Sequence, residues 1–303
     1  RDGREAALLR RRSGLGSLAS GCLLGGSSCA GTGASGQTFS GDASNRSRQL
    51  DAVRRLGGSE PAHDDLLGRG PQALAALDAM GTLMLAREEP ARAEGYFREA
   101  LSGCRAALGP DHPDTLWSAN NLAVALKRQG MFPEAEQLLS DALRRRRGTL
   151  GDQHPDTLAS GNNLAVLLKA EGRVADAEAL YREVLDGRRR ALGMGHADTL
   201  TTANNLAVLL AGSGRPSEAE RLHREALAGS RAGLGARHPD TLLSMDNLAV
   251  LLLGQGRLNE AEPLFREAAV GFRETLGAGH PDALRSAGNL GALLLQQGRL
   301  GEA

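Results

Sequence analysis

The sequence predicts an all-α, right-handed superhelical solenoid of antiparallel helix hairpins, and three observations predict it. His112, His154, His196, His238 and His280 are each 42 residues apart, as are Asn121, Asn163, Asn205, Asn247 and Asn289, and Gly130, Gly172, Gly214, Gly256 and Gly298. A fixed period of this size means stacked copies of one small unit. Within a unit, apolar residues recur at three- and four-residue spacing, the period of a helix face. Aromatic residues make up only 3% of the chain, which suits close helix packing and argues against a core of strands.

Composition excludes several function classes. Lys plus Arg and Asp plus Glu number 36 each among 303 residues, so no global charge draws the chain to nucleic acid or an anionic membrane. Cys22, Cys29 and Cys104 are odd in number and not at metal-ligand spacing. A reducing compartment is the default and a disulfide framework is not expected. No apolar run approaches the roughly 18 residues that span a bilayer. The chain begins with Arg1 and stops at Ala303 inside a repeat, so a fragment is expected.

Residues 1–69 are expected to be a low-complexity Gly/Ser/Arg-rich, largely disordered segment. Ala6 to Ser40 contains no Asp or Glu, and Arg10, Arg11 and Arg12 cluster. The plain reading is a flexible linker. The alternative is an organelle-targeting segment in residues 1–49, since such segments are rich in Arg and Ser and poor in acids. Residues 47–56 form a candidate short helix. The array then runs from 70 to 303 in units 70–111, 112–153, 154–195, 196–237 and 238–279, with a truncated sixth at 280–303. The first unit is degenerate in its first half.

The unit 112–153 shows the construction. Pro113 suits a first helical position, where no backbone N–H is needed. Asp114 follows in the first turn, which the helix dipole favours for an anion. Leu116, Ala119, Leu122, Ala123 and Leu126 form one face, and Gly130 ends the helix as glycine does at a C-cap. A second helix is predicted over about 133–149, with Ala135, Leu138, Leu139, Ala142 and Leu143 inward and Leu150-Gly151 closing it. Each helix is roughly 25 Å long at 1.5 Å per residue. Ala123 and Ala135 recur as Ala165 and Ala177, Ala207 and Ala219, and Ala249 and Ala261, with Gly291 and Ala303 in the last unit. Small residues let helices approach toward the short end of the 8–10 Å range.

The small residue in each helix, the Leu before the first Ala, and the bulky residue at 97, 139, 181 and 265 resemble the tetratricopeptide repeat. The 42-residue length and the phrases HPDTL, NNLA, EGR and EAE resemble its kinesin light chain-like subclass. HEAT repeats have similar length, but the Ala spacing and the Gly-Arg turn fit them poorly. The resemblance covers about 70–303 and implies the solenoid fold, with first helices lining an inner groove where asparagines contact bound peptide segments. No heptad pattern precedes the array here, so a motor-adaptor role does not follow from it.

Candidate chemistry is sparse. The five histidines sit one helix pair apart, too far to share an ion with bonds of about 2 Å, and are read as helix-start residues. Ser, His and Asp recur in columns rather than converging on one point, as a nucleophile and its base must. No GxxxxGK[ST] loop occurs. No enzyme activity, cofactor or metal is expected. Glu178 with Arg182, Glu220 with Arg224 and Glu262 with Arg266 are four apart, each pair contributing about 0.2–0.5 kcal/mol. Arg105, Arg147, Arg189, Arg231 and Arg273 sit near second-helix ends. They read as cations at the negative end of the dipole, or as an anion-binding stripe centred on Arg144 to Arg147.

The asparagines are the sharpest signal. Asn in a helix is roughly 0.6 kcal/mol worse than Ala, a cost repeated at Asn121, Asn163, Asn205, Asn247 and Asn289, with Asn120, Asn162 and Asn204 beside three of them. One reading is hydrogen bonding to the neighbouring unit, where each side chain satisfies a loop or helix backbone. The other is an amide ladder on the concave face, donating to and accepting from a peptide backbone. Lys127 and Lys169 share that helix face and favour acidic segments, whereas later units carry Ala211 and Leu253. The function expected is a non-catalytic cytoplasmic scaffold binding peptide segments of partner proteins, with no nucleic acid, membrane or small-molecule substrate. The alternative is a sensor or autoinhibitory arm of a larger signalling NTPase or enzyme whose catalytic domain lies outside this fragment.

Overall fold

Proline starts and glycine ends divide the array into helices of two alternating lengths. The structure, a computed structural model, describes residues 71–301; the expectations for residues 1–69, with Cys22 and Cys29, lie outside the described residues. In order the helices are α1 (Pro71–Ala86), α2 (Pro90–Leu108), α3 (Pro113–Arg128), α4 (Phe132–Leu150), α5 (Pro155–Ala170), α6 (Val174–Leu192), α7 (Ala197–Gly212), α8 (Pro216–Leu234), α9 (Pro239–Gly254), α10 (Leu258–Leu276) and α11 (Pro281–Gln296). No strand occurs among the described residues. The chain clusters into two compact units that meet in sequence at Gly193 and Met194. One contains α1–α6, the other α7–α11.

In each unit consecutive helices pack on one another, and first helices also touch first helices: α1 on α3, α3 on α5, α7 on α9, and α9 on α11. This is the hairpin stacking that the repeat predicts. First helices are 16 residues long and second helices 19. The degenerate opening of the first repeat still folds as the regular helix α1.

The histidines start helices. His112, His154, His196, His238 and His280 are N-caps whose Nδ1 accepts from the backbone N–H of the Asp two residues on, at 3.2 Å in each of the five. An accepting Nδ1 leaves the ring proton on Nε2, and one of the orphan donors of the first turn is satisfied. Gly130 and Gly172 take φ of 78° and 80° just past the first-helix ends, the left-handed seat that glycine fills at low cost. In the first repeat the same seat holds Glu88, at φ 62°.

The small residues are fully inside. Ala165, Ala207, Ala249, Ala135, Ala177, Ala219 and Ala261 are all 0% exposed. A Cβ on Gly81, in the same column, would meet the Phe97 ring. Phe97, Leu139, Tyr181 and Phe265 are buried between the helices of their hairpins, and His223 takes that seat in the fourth repeat. Burying a side chain of this size contributes about 1.5–3 kcal/mol, so the column is a main source of stability within each hairpin.

Candidate peptide-binding face

The first helices carry the candidate residues, and the structure divides them. In the first unit Asn120, Asn121, Asn162 and Asn163 are buried. Asn121 Nδ2 donates across helices to Asp78 Oδ1 at 3.3 Å, and Ser118 Oγ donates to Asp78 Oδ2 at 2.6 Å. At the next step the corresponding atoms, Asn163 Nδ2 and Asn120 Oδ1, are buried without a hydrogen bond. In the second unit Asn289 Nδ2 and Ser286 Oγ donate to Asp246 at 3.1 and 2.9 Å. Asn204 Oδ1 lies 3.2 Å from His223 Nδ1 in its own hairpin. Asn121 and Asn289 thus bond to the neighbouring hairpin, through a buried carboxylate and not through the backbone that the hydrogen-bonding reading named.

Sequence reasoning missed the acceptors. Asp78 and Asp246 stand in the same column as Asn120, Asn162 and Asn204, and the chemical unity of that column was the available signal. Burial is the main cause that pushes the Asp78 carboxyl up, to about 7, against the donors Ser118 and Asn121. Burial likewise raises Asp246, although Arg285 opposes it.

The accessible part of the face lies elsewhere. On α7, Thr201, Asn204, Asn205 and Ala211 are half-buried and Val208 is 44% exposed. On α9 Leu243, Asn247 and Val250 are half-buried, as is Asn289 on α11. These residues follow one stripe at three- and four-residue spacing. Leu253 is buried and contributes nothing to it. In the first unit Lys127 and Lys169 are half-buried. Burial first, then Arg128 and Lys169, brings the Lys127 ammonium down to about 8, so the two lysines feel each other. Burial also lowers Lys169.

Most other charges are structural. Glu178–Arg182, Glu220–Arg224 and Glu262–Arg266 pair as the spacing predicts. The same glutamate column also binds the turn of the following repeat: Arg173 reaches Glu136, Arg257 reaches Glu220 and Arg299 reaches Glu262, at 2.5–2.8 Å. The Gly-Arg turn is therefore a clasp between hairpins. The arginine column stands in the last turn of each second helix, as the dipole reading had it, and Arg147 also pairs with Glu183 and Arg231 with Glu267 in the next second helix. In the run Arg144 to Arg147, Arg144 and Arg145 hold Asp141, while buried Arg146 donates to Ser160 Oγ and the Asp156 carbonyl.

No group of His, Cys, Asp and Glu among the described residues has the geometry to hold a metal. Cys104 is buried beside Ser118, and burial pushes its thiol up to about 11, away from nucleophile chemistry. Among the described residues no helix is long and apolar enough to cross a membrane.

Comparison with protein families matches the tetratricopeptide repeat over residues 71–148, 125–190, 156–232, 198–269 and 240–303. The chain belongs to the tetratricopeptide repeat family. Comparison with curated proteins found no match. Solved structures similar to it include a Podosopora anserina protein with kinesin light chain-type, nearly identical TPR-like repeats, at 26% identity. That match covers 67% of this chain and 96% of the other, with a TM-score of 0.59. BtubC (BKLC) from P. vanneervenii is similar at 23% identity over 78% of this chain and 94% of its own, also with a TM-score of 0.59. A Rap protein complexed with Competence and Sporulation Factor shares the fold at 14% identity, over 86% and 73% of the two chains, with a TM-score of 0.57. Its similar solved structures thus include kinesin light chain-type repeats.

Proposed function

We propose that this array is a non-catalytic cytoplasmic scaffold that holds peptide segments of partner proteins on its first-helix face. The observation that carries the reading is the stripe of the second unit, where Asn205 and Asn247 stand half-open beside Val208 and Val250. An amide there can donate to and accept from an extended backbone, while the valines offer apolar contact. Stacking alone does not account for amides left accessible at those two positions. NprR, a protein of the same fold solved in complex with its cognate peptide NprX, lends support.

Lys127 and Lys169 supply a separate preference for acidic residues. An ammonium whose pKa is near 8 gains from a carboxylate partner. Capture of acidic segments therefore weakens as pH rises above about 8.

The test is a capture assay. Wild type is used first to isolate a peptide partner, and Asn205→Ala with Asn247→Ala is then compared on that peptide. Affinity should fall at least tenfold with helicity unchanged. Unchanged affinity removes these positions from the face, and loss of helicity returns them to a structural role.

A further inference from the structure

One glycine column of the second helices is interrupted in the second hairpin. Leu74, Leu158 and Leu242 of first helices lie against Gly103, Gly187 and Gly271 of second helices; a Cβ on Gly187 would stand 2.6 Å from Leu158 Cδ2. In the second hairpin this glycine column holds Arg145, opposite Leu116. The Arg145 side chain runs to Asp111 and Asp141, each at 2.7 Å. Beside it is a cavity of about 60 Å³, with Leu101, Leu116 and Leu138 in its wall together with Arg105, Asp141 and Arg145.

The same substitution changes the charges at the cavity. Arg147 and Arg231, in the column of Arg105, each pair with a carboxylate 36 residues on: Glu183 at 2.5 Å and Glu267 at 3.1 Å. For Arg105 that residue is Asp141, which Arg144 and Arg145 engage instead. Arg105 makes no side-chain hydrogen bond or ion pair among the described residues. A guanidinium with no ion pair among the described residues therefore lines a cavity whose wall is part leucine and part charged.

We propose that this cavity receives the C-terminal residue of a polypeptide, a Leu, Ile or Val whose terminal carboxylate pairs with Arg105. A water-sized group needs about 10–15 Å³, so the cavity holds on the order of four or five such groups. That matches a branched aliphatic side chain and is too small for an aromatic ring. A guanidinium recognises a carboxylate through two parallel hydrogen bonds. The site lies where α2, α3 and α4 meet, apart from the asparagine stripe proposed above for extended segments, and it does not depend on that proposal.

The test is titration of the full chain, methyl-labelled at leucine, followed by NMR. The ligands are acetyl-Ser-Gly-Leu, the same peptide with a C-terminal amide, and free 4-methylpentanoate. The free-carboxylate peptide should give saturable shifts at the Leu116 and Leu138 methyls, and the amide should bind at least tenfold more weakly. Arg105→Gln should show the same loss with an unchanged melting midpoint. Arg145→Gly restores the column glycine and releases Asp141 to Arg105, so it should abolish binding. Absence of saturable shifts, or equal binding by the amide or by Arg105→Gln, overturns the proposal. Binding of 4-methylpentanoate with the peptide silent overturns the assignment to a polypeptide end.

Discussion

Ser118 Oγ donates to Asp78 Oδ2 at 2.6 Å, joining α3 to α1 through a carboxylate buried inside the first unit. Ser286 and Asp246 make the same junction between α11 and α9 in the second unit. A buried acid at an inter-hairpin contact makes the stack sensitive to pH, because the ionised form must be accommodated away from water.

The sign follows from the Asp78 pKa, raised from 3.8 to about 7 mainly by burial. Below pH 3.8 the group is protonated folded or unfolded, and its contribution to stability is fully present. As pH rises toward about 7 that contribution is lost, because the unfolded chain releases the proton more readily. The loss above pH 7 is at most roughly 4 kcal/mol. Asp78→Asn places in this column the residue that Asn120, Asn162 and Asn204 already supply. The variant should melt above wild type at pH 8, and the gap should close toward pH 4. A constant difference across that range in thermal melts would mean that Asp78 does not titrate there.

His223 acts in the opposite direction. Its ring is buried in the bulky-residue seat of the α7–α8 hairpin, and burial lowers its pKa from 6.5 to about 4. The neutral imidazole is what the fold accommodates, so stability present above pH 6.5 is lost as pH falls toward about 4. His223→Phe, the residue found at positions 97 and 265, should remove this acid sensitivity. Amide exchange in α8, compared at pH 7 and pH 4.5, reads the change locally. Equal acid-induced exchange in wild type and variant would place the sensitivity elsewhere.

Local rules reach only part of this chain. His154 at the cap, Gly172 at φ 80° and Ala177 at 0% exposure were all legible, because each role is set within one helix or one turn. The predicted second helix at about 133–149 differs from Phe132–Leu150 by one residue at each end. The inter-hairpin contacts were not legible in the same way. Arg257 meets Glu220 across 37 residues, so sequence spacing within one helix carries no trace of it. The asparagine columns were visible, but their exposure was not. Asn163 and Asn205 are the same residue in the same column, and only their neighbours leave one buried and the other half-open.

Ala207 is fully buried in α7, as the repeat of small residues implied. Ala207→Leu adds three carbons where the helices meet and should cost about 1–3 kcal/mol by overpacking. A lower melting midpoint with unchanged helicity at low temperature is the expected result. An unchanged midpoint would mean that the stack opens to admit the larger side chain.

The N-cap role of His154 predicts a specific rescue. His154→Ala leaves the backbone N–H of Asp156 without the Nδ1 acceptor that lies 3.2 Å away, and the loss of such a cap costs about 0.5–2 kcal/mol. His154→Asn should recover most of that, since its carbonyl oxygen can accept the same bond. Zinc should leave all three midpoints unchanged. Midpoints in which Asn behaves like Ala would assign the histidine a packing role instead.

Glu88 offers a stabilising change. It occupies, at φ 62°, the turn position where Gly130 and Gly172 stand in the following repeats. A residue with a Cβ in the left-handed region carries a penalty of roughly 1–2 kcal/mol, which glycine avoids while losing more backbone entropy on folding. The balance favours Glu88→Gly by about 0.5–1 kcal/mol. The side chain is exposed, so no packing is lost to offset it. The chemical-denaturation midpoint should rise, with exchange slowed at the end of α1 and the start of α2. Glu88→Ala serves as the control, because it removes the same carboxylate but keeps the Cβ. If alanine stabilised as much as glycine, charge rather than backbone conformation would be the cause.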